Sequence, residues 1–257
     1  MNYEWAFIAN WLIFGALTLL YVDPFDIFSS DDDDDDDDDT SDVDEEITTG
    51  ITFIGENTDD TIDGTDGDDI ILGLAGDDRI TGGAGDDYIE GNVGDDTITG
   101  GAGDDSIAGG GGLDDISGGD GNDVISSDRL DGDAEWGRGA EETLSGGAGD
   151  DTLYFSGQDV AIGGEGNDSF NMIVDPEDGP AHITDFSAED DRLTLYADYD
   201  AENPPEITTI ADEETQTTSI MLGDQATVTL DGVFERDDLD IELKEEDDLE
   251  LDYAADA

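Results

Sequence analysis

Between Gly64 and Ser126 one apolar side chain returns at every ninth position: Ile71, Ile80, Ile89, Ile98, Ile107, Ile116 and Ile125, each among mostly polar neighbours. A single inward side chain of this kind suits a very short strand. One such unit buries almost nothing. The pattern therefore predicts many units stacked into a continuous apolar ladder, as in a solenoid whose members do not fold alone. Beyond Met172 the runs AHITDF, DRLTLY, EITTIA, TTSIML and ATVTL alternate apolar and polar residues, which predicts strands. A small antiparallel cap built from them would cover the exposed edges at the end of the stack.

A different pattern opens the chain. Trp5 to Val22 is uncharged, mostly apolar and flanked by Tyr3, Trp5 and Tyr21. Its length matches a helix that spans a bilayer, with aromatic anchors at both interfaces. No basic segment precedes it and no small-x-small site stands before Asp23, so an uncleaved anchor is expected over a cleaved signal. Nine consecutive aspartates follow, Asp31 to Asp39. That block repels itself and buries nothing, so 23–49 is expected to be an extended, disordered tether.

Composition narrows the chemistry. Lys and Arg total 6 against 75 Asp and Glu, a formal net charge of -69, and cysteine is absent. Disulfides and thiolate chemistry are excluded. Nucleic acid and anionic lipid surfaces would be repelled.

Aligned on their first residue, the seven units read GTDGDDIIL, GLAGDDRIT, GGAGDDYIE, GNVGDDTIT, GGAGDDSIA, GGGGLDDIS and GGDGNDVIS. Position four is always glycine, position six always aspartate and position eight always isoleucine. Glycine at positions one and four is expected to supply positive φ, so that six residues close a tight turn. Stacking would bring the aspartates Asp69, Asp78, Asp87, Asp96, Asp105, Asp114 and Asp123 within a strand spacing or two of each other. Carboxylates that close repel unless something neutralises them. Six basic residues cannot supply a salt-bridge ladder. The groups on offer are oxygens, carboxylates and turn carbonyls, a hard ligand set that suits calcium.

These units resemble the GGxGxDxUx nonapeptide of the RTX, or haemolysin-type calcium-binding, repeats, and seven of them in fixed register make the match specific. Further copies flank the array. GENTDDTID from Gly55 carries Asp60 and Ile62 in the right columns, with Ile51, Phe53 and Ile54 placed to cap that end. GRGAEETLS from Gly137 carries Glu142 and Leu144, GGAGDDTLY from Gly146 carries Asp151 and Leu153, and GGEGNDSFN from Gly163 carries Asp168 and Phe170. Between them Ser127 to Trp136 is either a surface loop or a decayed unit, and Phe155 to Ile162 is an eight-residue remnant. Ile183 to Leu195 (ITDFSAEDDRLTL) resembles the segment that closes RTX domains.

The resemblance implies turns that fall alternately on two sides of a parallel β-roll, with calcium ions between turns two units apart. The expected metal ligands are Asp60, Asp69, Asp78, Asp87, Asp96, Asp105, Asp114, Asp123, Asp151 and Asp168. The expected fold is all-β: a parallel β-roll or β-helix solenoid of nonapeptide repeats with a small antiparallel β cap, plus an N-terminal transmembrane helix. Its parts are a hydrophobic membrane segment (1–22), a poly-aspartate linker (23–49), an RTX β-roll (50–171), a C-terminal β cap (172–243) and an acidic tail (244–257).

No catalytic constellation is present in the sequence. His182 is the sole histidine and sits in a strand-like run, and neither HExxH nor GxSxG occurs. The Asp-Asp pairs belong to the repeat. The chain is expected to be a non-enzymatic, calcium-binding repeat protein, extracellular or on the cell surface, anchored by residues 5–22 or secreted, with a structural or adhesive role. Two other classes stand beside it: a fragment or relative of a secreted RTX enzyme or toxin whose active part is unrecognised, and an acidic cation-buffering protein.

Overall fold

The computed structural model describes residues 50–127, 141–175, 177–245 and Leu249. The segments expected to anchor and tether the protein, 1–49, lie outside the described residues, as does most of the tail. Among the described residues no helix is long and apolar enough to cross a membrane.

Strands alternate between two sheets, numbered here in chain order. The odd strands β1 (Thr52–Ile54), β3 (Ile70–Ala75), β5 (Tyr88–Val93), β7 (Ser106–Gly111), β9 (Val124–Ser126), β11 (Thr152–Phe155), β13 (Ser169–Ile173) and β15 (Arg192–Ala197) run in that order through one sheet, closed by β19 (Ile241–Glu245). The other sheet runs through β2 (Thr61–Asp63), β4 (Arg79–Ala84), β6 (Thr97–Ala102), β8 (Asp115–Asp120), β10 (Thr143–Ala148), β12 (Val160–Glu165) and β14 (Ala181–Ile183). It ends in β18 (Gln225–Asp231), β17 (Thr217–Leu222) and β16 (Ile207–Asp212). Neighbours within the repeats are parallel. This is the parallel β-roll that the resemblance to the RTX repeats implies. The strands are longer than three residues, because each full one continues into the first three positions of the next unit.

Position eight forms the core. Ile71, Ile89, Ile107, Ile125, Leu153, Phe170 and Leu193 register side by side in the odd sheet. Ile80, Ile98, Ile116, Leu144, Ala161 and Ile183 do so in the even sheet. All are buried. Each gives up its apolar surface only because both neighbours in the ladder do the same.

Of the segment Ser127 to Trp136, read as a loop or a decayed unit, all but Ser127 lies outside the described residues. Asp123 bonds to a partner 28 residues on, where Asp105 bonds to one 18 residues on. β8 pairs directly with β10 and β9 with β11. The two files and the two sheets therefore keep their order across the ten extra residues.

The carboxy-terminal runs are strands, but only part of the cap is antiparallel. β16, β17 and β18 pair antiparallel with one another. β14, β15 and β19 instead extend the two sheets in parallel, as does β18 against β14. The reason is visible in the core: Ile183, Leu193 and Leu230 continue the ladder spacing, and Phe155, Phe170, Phe186 and Phe234 pack ring to ring at 5.8–6.3 Å to fill the widening end. Among the described residues the amino-terminal end has no such cover. Phe53 takes a ladder position opposite Ile71, but Ile51 and Ile54, expected to cap that end, are exposed.

Candidate metal centre

Each turn is made by positions one to six, and the glycines in it serve two different purposes. Positive φ falls at positions two and four, not one and four. Gly103 at position four has φ 136°, and Leu74 and Asn92 hold positive φ at position two (83° and 79°) without glycine. Position-one glycines do not adopt it. Their missing Cβ serves the site: a Cβ on Gly73 would come within 2.5 Å of Asp78 Oδ2 and 2.7 Å of Gly91 O. The carboxylate of one turn and a carbonyl from the turn two units on thus share the space above a glycine. The same pair of oxygens meets above Gly82, Gly91, Gly100, Gly118 and Gly146.

Position-six aspartates are buried, Asp69, Asp78, Asp87, Asp96, Asp105, Asp114, Asp123, Asp151 and Asp168 alike; Asp60, at the open end, is half-buried. Their two oxygens differ. Oδ1 accepts the backbone N–H of the aspartate two turns earlier: Asp69 N–H to Asp87, Asp78 to Asp96, Asp87 to Asp105 and Asp105 to Asp123, each at 2.8 Å. The relation continues from Asp123 to Asp151 and from Asp151 to Asp168, at 2.8 and 3.0 Å. The aspartates thus form two files along the two edges of the roll, one leading into each sheet.

Oδ2 carries the functional signal. In Asp78, Asp87, Asp96, Asp105, Asp123 and Asp151 it is buried and has no hydrogen-bond partner. Burial without a partner is costly for a carboxylate oxygen. Burial accordingly pushes the carboxyls of Asp105 and Asp151 up to about 7, and those of Asp87, Asp96 and Asp123 up to about 6. The backbone N–H each accepts pulls the other way, and neighbouring carboxylates add to the rise. Asp78 and Asp168 are raised for the same first reason.

At the ends the oxygen is already satisfied. Oδ2 of Asp60 accepts the N–H of Glu56 and that of Asp69 accepts Thr65, both at 2.6 Å. Of the expected ligands, Asp60 and Asp69 therefore stand apart from the six whose gaps combine an orphaned Oδ2 with a facing carbonyl. Among the described residues no three acidic or imidazole side chains gather into a cluster that would hold a metal by themselves, so carbonyls must supply part of any coordination. Hard, mixed carboxylate and carbonyl oxygen is what calcium takes. The residues present fit it.

Three acidic residues join the files without matching the glycine pattern. Glu142 and Asp159 are buried, and Glu142 N–H donates to Asp159 Oδ1 at 3.2 Å. Asp191 accepts Asp168 N–H on Oδ1 and Ser187 N–H on Oδ2, at 2.9 and 2.7 Å. The signal in the sequence was the spacing to Leu193, two residues on, as in every repeat. Position five also has a role that its tolerance of Leu113 and Asn122 concealed. Its exposed aspartates accept the N–H of position five two turns later, Asp86 from Asp104 at 2.8 Å and Asp95 from Leu113 at 2.9 Å. A residue at the receiving end needs only its backbone. His182 makes a 2.8 Å contact with Asp231 on the neighbouring strand, both partly exposed.

No curated protein is detectably similar to the chain. The family model for the RTX calcium-binding nonapeptide repeat matches in four copies, over residues 54–89, 90–125, 136–154 and 155–171. With the ladder, the turns and the paired oxygens in place, the segment 54–171 belongs to the RTX calcium-binding nonapeptide repeats.

Proposed function

We propose that the chain is a calcium-dependent structural module working outside the cytoplasm, in adhesion or surface assembly and not as an enzyme. One observation carries this reading: six gaps between turns each hold a buried carboxylate oxygen with no partner, facing a carbonyl. Asp78, Asp87, Asp96, Asp105, Asp123 and Asp151 would hold the ions, together with the carbonyls of Gly91, Gly100, Gly109, Gly118, Gly146 and Gly163. Calcium would supply positive charge there, where among the described residues no ion pair to these aspartates is present. The remaining work is the protein's own, because Oδ1 of each aspartate is held by a backbone N–H and Oδ2 is left aimed at the gap.

The net charge of -69 favours a second reading, a cation buffer that binds many ions loosely. Equilibrium dialysis of the full chain with calcium at physiological salt separates the two. The module takes up a cooperative set of about six ions, the number of gaps, which added salt displaces only weakly. A polyelectrolyte takes up ions in proportion to its charge, without cooperativity, and loses them to salt.

A further inference from the structure

The open amino-terminal end of the roll has features that calcium binding does not use. Among the described residues no strand pairs with the outer edges of β1 and β2, which terminate the two sheets. Between them is a recess of about 520 Å³, lined by Phe53, Ile54, Glu56, Asp60, Ile62 and Asp63. Phe53 and Ile62 are the last rungs of the ladder and remain only half-buried. Ile54 is 63% exposed and Ile70 42% exposed on the adjoining surface. The opposite end, by contrast, is covered by the cap, whose Phe186 and Phe234 continue the ring stack from Phe155 and Phe170 of the roll. A strand edge left unpaired among the described residues, beside a recess that holds Phe53 and Ile62 within an acidic lining, is a template for one more strand.

We propose that this end receives an extended segment of a partner protein in which apolar residues alternate with lysine or arginine. The segment would lie along the free edge of β2, with an apolar side chain beside Ile62 and basic side chains toward the rim. Charge decides between occupants. The rim carries Glu56, Asp59, Asp60 and Asp63, and no lysine or arginine precedes Arg79, which lies opposite Thr61 on β4. A second copy of this chain would bring an identical acidic rim and a further charge of -69, so like charges oppose self-association. A basic strand meets the rim with complementary charge, its backbone pairs with the edge, and its apolar residue extends the ladder.

The test uses the full chain in millimolar calcium and 150 mM salt, with the far-ultraviolet circular dichroism of each sample showing that the roll is folded. The probe is a fluorescent peptide, Lys-Val-Lys-Ile-Lys-Val-Lys, followed by anisotropy. Its control, Lys-Val-Lys-Pro-Lys-Pro-Lys, keeps the charge but cannot pair as a strand, and so reads attraction to an acidic chain at large. The pairing peptide should bind at least ~10-fold tighter, equivalent to ~1.4 kcal/mol. Reversing the rim with Glu56→Lys and Asp63→Lys should remove that advantage, while Asp200→Lys with Glu202→Lys, exposed on the cap, should leave it. Equal binding of the two peptides would overturn the proposal, as would equal losses in the two double variants. Sedimentation showing a calcium-loaded dimer that the rim variants abolish would also overturn it, by giving the end to a second copy.

Discussion

The backbone N–H of Asp87 donates to Oδ1 of Asp105, 2.8 Å away and 18 residues further along the chain. One oxygen of each candidate ligand is thus held by the backbone of another, and the orientation of any one carboxylate depends on the turn two units before it. Sites built this way are coupled through the fold itself, because no turn has its ligand positioned until its neighbour is in place.

Calcium removal should therefore unfold the repeats as a unit. Six buried, partnerless carboxylate oxygens oppose the metal-free fold, and each filled site adds ~2.7 kcal/mol when calcium is a hundredfold above its dissociation constant. Circular dichroism in EDTA should show loss of the strand signal, and titration back with calcium should restore it with a Hill slope above one. A strand signal indifferent to EDTA would refute this account of the gaps.

Asp105→Asn and Asp105→Ala should differ. Asparagine keeps an oxygen for the Asp87 N–H but removes the charge, so it should weaken calcium binding by at least the ~10- to 100-fold typical of losing an outer-shell partner, while easing folding without metal. Alanine removes the acceptor as well and leaves a buried N–H unpaired, at a further ~1–3 kcal/mol. Calcium isotherms and urea midpoints of the two variants, compared in EDTA and in calcium, measure the separation.

Asp86→Ala addresses the outer column. Its carboxylate accepts the Asp104 N–H at 2.8 Å but is exposed, so water replaces it in part and the loss should be ~0.5–1.5 kcal/mol. The number of bound calcium ions should not change. A drop of one ion in equilibrium dialysis would place position five among the ligands.

Acid should partly substitute for calcium. The carboxyls of Asp87, Asp96 and Asp123 rise from 3.8 to about 6 and those of Asp105 and Asp151 to about 7. The folded state then binds more protons than the unfolded one between those values, so stability falls as pH rises. The proton-linked stabilisation is complete below about 3.8 and is lost as pH climbs through 6 to 7. In EDTA the strand signal should grow on acidification from pH 7.5 to 4.5, and a flat or falling signal would contradict the burial of these groups.

Placement outside the cytoplasm is tested by topology. Extracellular calcium modules bind with dissociation constants of ~0.1–1 mM, and such sites would stay unfilled in a cytosol poor in free calcium. If Trp5 to Val22 is an anchor, a membrane potential negative inside favours outward movement of the following aspartate block by ~2.3 kcal/mol per charge per 100 mV. Protease added to intact cells should remove an epitope at the carboxy-terminal end. An epitope that survives until lysis reverses the orientation.

The sequence by itself determined the roll and its main chemistry. Isoleucine at every ninth position, glycine at position four and aspartate at position six each answer to a constraint inside one turn, and a constraint that recurs with the turn is written periodically. Which aspartates align followed from the RTX resemblance, which implies neighbours two units apart. Tertiary structure decided everything that depends on what lies across the gap. Only the facing carbonyls of Gly91 and Gly100 explain why Gly73 and Gly82 lack a side chain, a reason unrelated to φ. Only the local N–H groups of Glu56 and Thr65 distinguish Asp60 and Asp69 from the six orphaned ligands. Asp191 enters its file through Asp168, 23 residues earlier, and Ile54 is exposed on β1, outside which no strand lies among the described residues. Identical residues in identical columns acquire different roles because a carboxylate's charge is tolerated, bonded or left for a metal according to its neighbours in space, some four residues away and others 17 or more.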